Sequence, residues 1–222
     1  MVKRLLGVAH GTRSAAGQDQ IRELMDVVAR RRPEVDVRLA YVDVQHPRVA
    51  TAVTGDTVVV PLLLSTGYHV LVDIAEAVAG TNALVSAPLG PDPRIVEILA
   101  ERIAGPTDAV VLAAAGSSEP RSQADVASVA AQLGAHVAYA AGDGPRVPDV
   151  VATLRRAGAG HITVATYLLA DGLFYRTLHR AGADRVTEPL VTSPAVADLV
   201  LSRFLTIGDV PLTEDVYGGA TG

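Results

Sequence analysis

The stretch Tyr41-Val42-Asp43-Val44-Gln45-His46-Pro47-Arg48-Val49 returns in the second half of the chain as Tyr139-Ala140-Ala141-Gly142-Asp143-Gly144-Pro145-Arg146-Val147, with Tyr, Pro, Arg and Val in register. On either side, Val8-Ala9-His10-Gly11-Thr12 pairs with Ala113-Ala114-Ala115-Gly116-Ser117. Leu63-Leu64-Ser65-Thr66-Gly67-Tyr68-His69 pairs with Leu168-Leu169-Ala170-Asp171-Gly172-Leu173-Phe174. The intervals Gly11 to Gly67 and Gly116 to Gly172 are both 56 residues. Any two α/β units share apolar patterns and turn glycines, because the architecture forces them. Equal glycine spacing together with a shared Tyr and Pro-Arg-Val goes further and marks an internal duplication.

Short apolar runs alternate with helical periodicity in each copy. The first copy reads as strands near 3–9, 35–42, 57–64 and 83–87, with helices near 15–31, 46–53, 70–79 and 93–104. The second reads as strands near 108–114, 135–140, 161–169 and 185–188, with helices near 120–133, 146–157, 173–181 and 194–205. Strict alternation of strand and helix predicts parallel sheets. The fold class expected is therefore α/β: two tandem domains, 1–104 and 105–206, each with a mostly parallel four-stranded sheet flanked by helices. Residues 207–222 show no period and read as a flexible tail.

Composition removes several classes of function. The 222 residues include no Cys, so any metal must be held by imidazole, carboxylate or water. Lys3 is the only lysine, which excludes a lysine-bearing phosphate loop and a Schiff-base lysine deep in the fold. A net charge of -5, with no basic cluster beyond Arg30-Arg31-Arg32, argues against nucleic acid or an anionic membrane as partner. That arginine run suits a helix C-terminus. No apolar run approaches the ~20 residues of a membrane span, and the start of the chain lacks a signal-peptide pattern, so a cytoplasmic location is expected.

Comparing the copies separates chemistry from architecture, because residues needed only for the fold should be acceptable in both. His10 is opposed by Ala115, Asp43 by Ala141, His69 by Phe174 and His46 by Gly144. These positions fall at the C-terminal ends of predicted strands, the edge where open α/β sheets bind ligands. Two imidazoles and a carboxylate suit an open site for a divalent first-row metal, and neutral imidazole accepts protons near pH 7. His46, followed by Pro47, reads equally as a ligand or as the start of a helix.

Val8-Ala9-His10-Gly11-Thr12-Arg13, Leu62-Leu63-Leu64-Ser65-Thr66-Gly67-Tyr68-His69-Val70 with Asp73-Ile74, and Ala87-Pro88-Leu89-Gly90 resemble class II chelatases of the sirohydrochlorin chelatase (SirB/CbiX) kind. The resemblance spans nearly the whole chain. It implies two halves facing each other across a cleft, and nucleotide-independent insertion of a divalent metal, Fe²⁺ or Co²⁺, into a modified tetrapyrrole. His10 and His69 match the family's paired histidines as catalytic and metal-binding residues. Asp43 stands where the family carries Glu, and as the shorter carboxylate it is the main departure. Thr12, Arg13, Ser65 and Thr66 are then expected to contact the substrate's carboxylates, and the second domain to form the opposite wall, with Phe174 against the macrocycle.

Iron insertion giving sirohaem is the leading expectation, with cobalt insertion for cobalamin synthesis beside it. A non-catalytic metal or tetrapyrrole carrier and a histidine-phosphatase type of phosphoryl transfer are the rivals. The phosphatase reading lacks its arginine before the histidine, where Ala9 stands. A monomer is the expected state, with a homodimer the alternative, because an internal duplication can replace a symmetric dimer.

Overall fold

The computed structural model describes residues 4–67, 69–142 and 144–208, with side chains described for all of these except 69–71 and 208. Most of the expected tail, 209–222, therefore lies outside the described residues. The first repeat comprises β1 (Arg4–Ala9), α1 (Ala15–Arg31), β2 (Asp36–Tyr41), α2 (Val49–Ala52), β3 (Thr57–Pro61), a π-helical turn (His69–Ile74) running into α3 (Ala75–Val78), β4 (Leu84–Val85) and α4 (Pro93–Ile103). The second comprises β5 (Ala109–Ala114), α5 (Pro120–Gln132), β6 (His136–Tyr139), α6 (Val147–Arg156), β7 (Ile162–Tyr167), α7 (Leu173–Leu178), β8 (Arg185–Val186), a 3₁₀ turn (Leu190–Thr192) and α8 (Ala195–Gly208). The strand orders are β2-β1-β3-β4 and β6-β5-β7-β8, and every described pairing is parallel.

The duplication extends to individual hydrogen bonds. Tyr41 N–H donates to Pro47 O at 3.0 Å and Tyr139 N–H to Pro145 O at 2.8 Å. The guanidinium of Arg48 donates to Val42 O, and that of Arg146 to Ala140 O. Gln18 donates to Thr12 O just as Gln123 donates to Ser117 O. The recurring Tyr and Pro-Arg-Val thus hold one loop geometry twice.

Successive residues of each central strand face opposite layers, as a period of two requires. Leu5, Val58 and Val60 point inward, together with Val110, Leu112 and Ala165 of the second sheet, into one core shared by both repeats. Leu6, Val8 and Val59 point outward beneath Val49 of α2 and Ile74, while Val111 and Val164 do the same beneath α6. The shared core is closed by an exchange of helices: α4 packs on β7 of the second sheet, and α8 packs on β3 and α1 of the first. α8 buries Val196, Leu199, Val200 and Phe204, an almost wholly apolar helix that only an interior position can accommodate. α4 ends at Ile103 and β5 begins at Ala109, and the central core belongs to both repeats.

Several expected bounds shift for local reasons. The helix placed at 46–53 starts at Val49 with Arg48 as its N-cap, so His46 caps nothing. β3 stops at Pro61 rather than at 64, because Leu62 to Gly67 turn away toward the second repeat. α7 ends at Leu178, short of 181. The arginine run sits where its charge suits it: Arg30 and Arg31 occupy the last turn of α1, and Arg31 pairs with Asp198 of α8.

Asp92 fastens the exchanged helices together. It is buried, caps α4 by accepting from Arg94 N–H at 3.0 Å, and pairs with Arg94 and, at 3.0 Å, with Arg203 of α8. Burial by itself raises its pKa, but the bonds from the Arg94 side chain and backbone, with the charges of Arg94 and Arg203, outweigh burial and hold it below the ordinary 3.8. A depressed folded-state pKa contributes stability that is complete above the unfolded value and is lost as pH falls through the folded one. Asp92→Ala should therefore cost about 2–4 kcal/mol in urea unfolding at pH 7, through the lost cap and an unpaired Arg203. The gap to wild type should narrow as the pH is lowered below 3.8.

Candidate ligand cleft between the repeats

A cleft of about 640 Å³ opens between the C-terminal ends of β1 and β3 on one side and of β5 and β7 on the other. That is a small-molecule volume at the sheet edge where parallel α/β folds bind ligands. The first repeat contributes His10, Gly11, Thr12, Gln45 and Ser65, and the second contributes Ala115, Ser117, Gln123, Leu173 and Phe174. The pseudo-equivalent positions 10 and 115 thus line the same cleft, one as imidazole and the other as methyl.

His10 follows directly on β1 and is exposed. Its Nδ1 lies 3.2 Å from Gly11 O. A carbonyl there selects the tautomer protonated on Nδ1, which makes Nε2 the nitrogen carrying a lone pair. Gly11 has φ +96°, and a Cβ at this position would overlap Asp43 O; Gly116, at φ +107°, meets Ala141 O in the same way. This close approach lets Asp43 N–H bond to His10 O at 3.0 Å, tying the β1 and β2 loops together.

The β2 loop is strained. Val44 takes φ +62° between Asp43 O and Gln45 N, which bond at 2.6 Å across it. A three-residue turn with a β-branched centre at positive φ is rare, and such strain gathers at functional sites. Its effect here is to bring Gln45 to the cleft, where Oε1 accepts from Thr12 N–H at 2.9 Å beside Tyr41. Burial pushes the Tyr41 hydroxyl above the ordinary tyrosine pKa.

Asp43 carries its carboxylate to Arg48, Oδ1 to Nη1 at 2.9 Å, and is largely exposed. The bond from Arg48 is the main cause of its lowered pKa, followed by the Val44 N–H, with His10 adding a smaller electrostatic contribution. The expected grouping of Asp43 with His10 is thus close enough for their charges to interact, while the carboxylate is shared with an arginine. His46 is exposed and is not among the residues lining the cleft. His69 opens the π-helical turn immediately beyond the Ser65–Gly67 loop, and its side chain lies outside the described residues. π-Helical turns of this kind often occur at functional sites. Among the described residues no group of three His, Asp or Glu side chains is close enough to hold a metal ion.

The expected carboxylate contacts prove to be partly occupied by the protein itself. Thr12 Oγ1 accepts from Ser14 N–H, shaping the turn into α1. Ser65 Oγ shares a 2.7 Å hydrogen bond with Ser122 Oγ across the repeats, and Thr66 N–H donates to Asp125 at 2.9 Å. Arg13 is exposed, and among the described residues neither it nor Thr66 lines the cleft. A pseudo-symmetric latch closes the other side, with Asp171 N–H donating to Gln20 Oε1 at 2.7 Å and Ser14 Oγ donating to Asp171 Oδ1 at 2.5 Å. Tyr167 adds a 2.6 Å bond from its hydroxyl to Leu64 O.

Comparison of the two copies does not single out Gln45, Ser117, Gln123 or Leu173. Tyr41 and Tyr139 are visible as register markers, and the aromatic content carries a further signal. Five of the chain's eight Tyr and Phe residues, Tyr41, Tyr139, Tyr167, Phe174 and Tyr175, line this one cleft.

Fold and site define a two-copy α/β protein with a ligand cleft along the facing edges of two parallel sheets, chemically different on its two walls. The CbiX family model matches residues 4–105 and again 109–206, and the chain belongs to this family. The sirohydrochlorin ferrochelatase of Priestia megaterium is 28% identical over 199 residues, covering 76% of this chain and 74% of that protein. SirB from Bacillus subtilis with Fe³⁺ superposes with a TM-score of 0.77 at 22% identity, over 94% of this chain and 98% of that one. SirB from Bacillus subtilis subspecies spizizenii in complex with cobalt gives 0.66 at 23%, over 91% and 94%.

The geometry separates fold from chemistry at two adjacent positions. Gly11→Ala should lower the thermal midpoint by several degrees, since a Cβ must displace the Asp43 carbonyl and break the loop pairing. Asp43→Asn, altering an exposed surface pair, should leave the midpoint unchanged in the same scan. A shift of similar size in both would contradict this division.

Proposed function

We propose that this protein inserts a divalent metal ion, Fe²⁺ in the first instance, into metal-free sirohydrochlorin without a nucleotide. The observation that carries the reading is the one-sided cleft. Its first-repeat wall bears His10 beside the loop leading to His69, whereas Ala115 and Phe174 stand at the matching positions of the second. Membership of the CbiX family and a ferrochelatase relative support the substrate and the metal. Among the described residues, those lining the cleft include no arginine or lysine to clamp a transferring phosphate, which speaks against phosphoryl transfer.

Insertion removes two pyrrole N–H protons and binds the ion to all four ring nitrogens, so each turnover releases two protons, one by way of His69 and the other to solvent water, and requires the incoming ion to lose water. In the proposed mechanism, Nε2 of His10, carrying the lone pair, takes the metal ion as substrate, and His69 accepts a pyrrole proton. Asp43, held ionised by Arg48, acts as the outer carboxylate of the site, reaching the ion through a water. Thr12 and Ser65 help to shape the first-repeat wall, and Arg13 is assigned to substrate carboxylates beyond the cleft mouth.

Purified protein mixed with sirohydrochlorin and Fe²⁺ or Co²⁺ should give an absorbance change over many turnovers and faster than the spontaneous reaction. His10→Ala and His69→Ala should each slow it by roughly 100-fold or more. A rate equal to the spontaneous one would sink the enzymatic reading, and uptake that stops at one equivalent would indicate a carrier. Full activity in both histidine variants would overturn the site assignment. Hydrolysis of an aryl phosphate that disappears in His10→Ala would instead favour phosphoryl transfer. The relative rates with the two metals decide between iron and cobalt.

A further inference from the structure

We infer that Leu173 and Phe174 form an apolar platform on the second-repeat wall, against which one face of the conjugated macrocycle lies while the metal arrives from the His10 side. This rests on the tetrapyrrole reading above and assigns the second repeat its own part in the reaction. Among the described residues, three large apolar side chains are exposed: Val44, Leu173 at 74% and Phe174 at 38%. Isolated exposed apolar residues need no explanation, but two adjacent ones lining a concave site form a surface prepared for an apolar partner. Both line the cleft.

The platform is held rigidly, and from the opposite repeat. Asp171, two residues before Leu173, is bonded through its N–H to Gln20 and through its carboxylate to Ser14, which lies four residues beyond His10. Arg176 of α7 joins the same carboxylate at 2.9 Å, and Leu178 anchors the end of α7 in the core. The loop carrying His10 and the turn carrying Phe174 are therefore positioned relative to each other through a short hydrogen-bonded path. A preorganised apolar surface loses little freedom when it binds a flat ligand.

The chemistry of the exchange fits the same role. Phe174 stands in the register position of His69, and a phenyl ring keeps the flat, polarisable face of an imidazole while losing the nitrogens that bind metal or protons. A flat conjugated ring system is the occupant that a Phe face and a neighbouring Leu complement best, and the other cleft tyrosines line the same space. The second wall would thus bind the macrocycle without competing for the ion.

The test is equilibrium binding of metal-free sirohydrochlorin to the full-length protein, followed by absorbance, for wild type, Phe174→Ala, Leu173→Ala with Phe174→Ala, and Phe174→Tyr. Phe174→Ala should weaken binding about tenfold and raise KM in parallel, with kcat changed by less than about threefold. The double variant should weaken it further. Phe174→Tyr should restore binding to within about threefold, and the thermal midpoint and Co²⁺ binding without tetrapyrrole should not move. Tetrapyrrole binding within about twofold of wild type in the double variant, with His10→Ala still inactive, would overturn the platform and leave the chelatase reading standing. Failure of wild type itself to bind sirohydrochlorin would remove both.

Discussion

The apolar core shared by the two sheets is the constraint on which the rest of the molecule depends. Each sheet presents two apolar faces, and the short α2 and α6 with their neighbours cover only the outer ones. The inner faces must be removed from water by something larger. The solution is reciprocal: α4 leaves its own repeat for β7, and α8 returns to β3 and α1. Neither repeat has a complete interior without the other, so their relative placement is set by burial rather than by a linker. Asp92, itself buried, and the half-buried Arg203 then fasten the crossing helices with an ion pair.

Because the sheets are held this way, their ligand-binding edges meet, and the cleft is a consequence of how the core closes. The loops around it are shaped mainly by backbone hydrogen bonds and by Gly11 and Gly116, whose missing side chains let neighbouring loops touch. Side chains at positions 10, 115 and 174 carry little of that structural work. They could diverge after duplication without loss of the fold, which is how one scaffold comes to carry an imidazole at position 10 on one wall and a methyl at position 115 on the other. Two latches, Ser65–Ser122 with Thr66–Asp125 and Ser14–Asp171 with Gln20, span the walls at equivalent places and fix their separation.

Much of this architecture is legible along the chain. Parallel sheets, element order and duplication follow from period-two and helical patterning together with repeated Tyr and Pro-Arg-Val, since those signals are local in sequence. His10 stands out because its counterpart is alanine. The fate of the hydroxyls and of Asp43 is not legible: Thr12, Ser65 and Asp43 look available in sequence, yet their partners Ser14, Ser122 and Arg48 are identified only by geometry. Gln45 escapes notice because its value comes from a strained turn at Val44 that no composition announces.

The sequence by itself therefore determined that the chain is two α/β units that differ in their histidines and carboxylates at matching positions, because local periodicity and the comparison of copies encode those properties directly. Only the tertiary structure decided that the units exchange helices, that positions 10 and 115 face one cleft, and that exposed Leu173 and Phe174 are held beside the His10 loop. Those outcomes arise from which apolar faces find each other across more than a hundred residues, and a pattern read along the chain carries no information about that pairing.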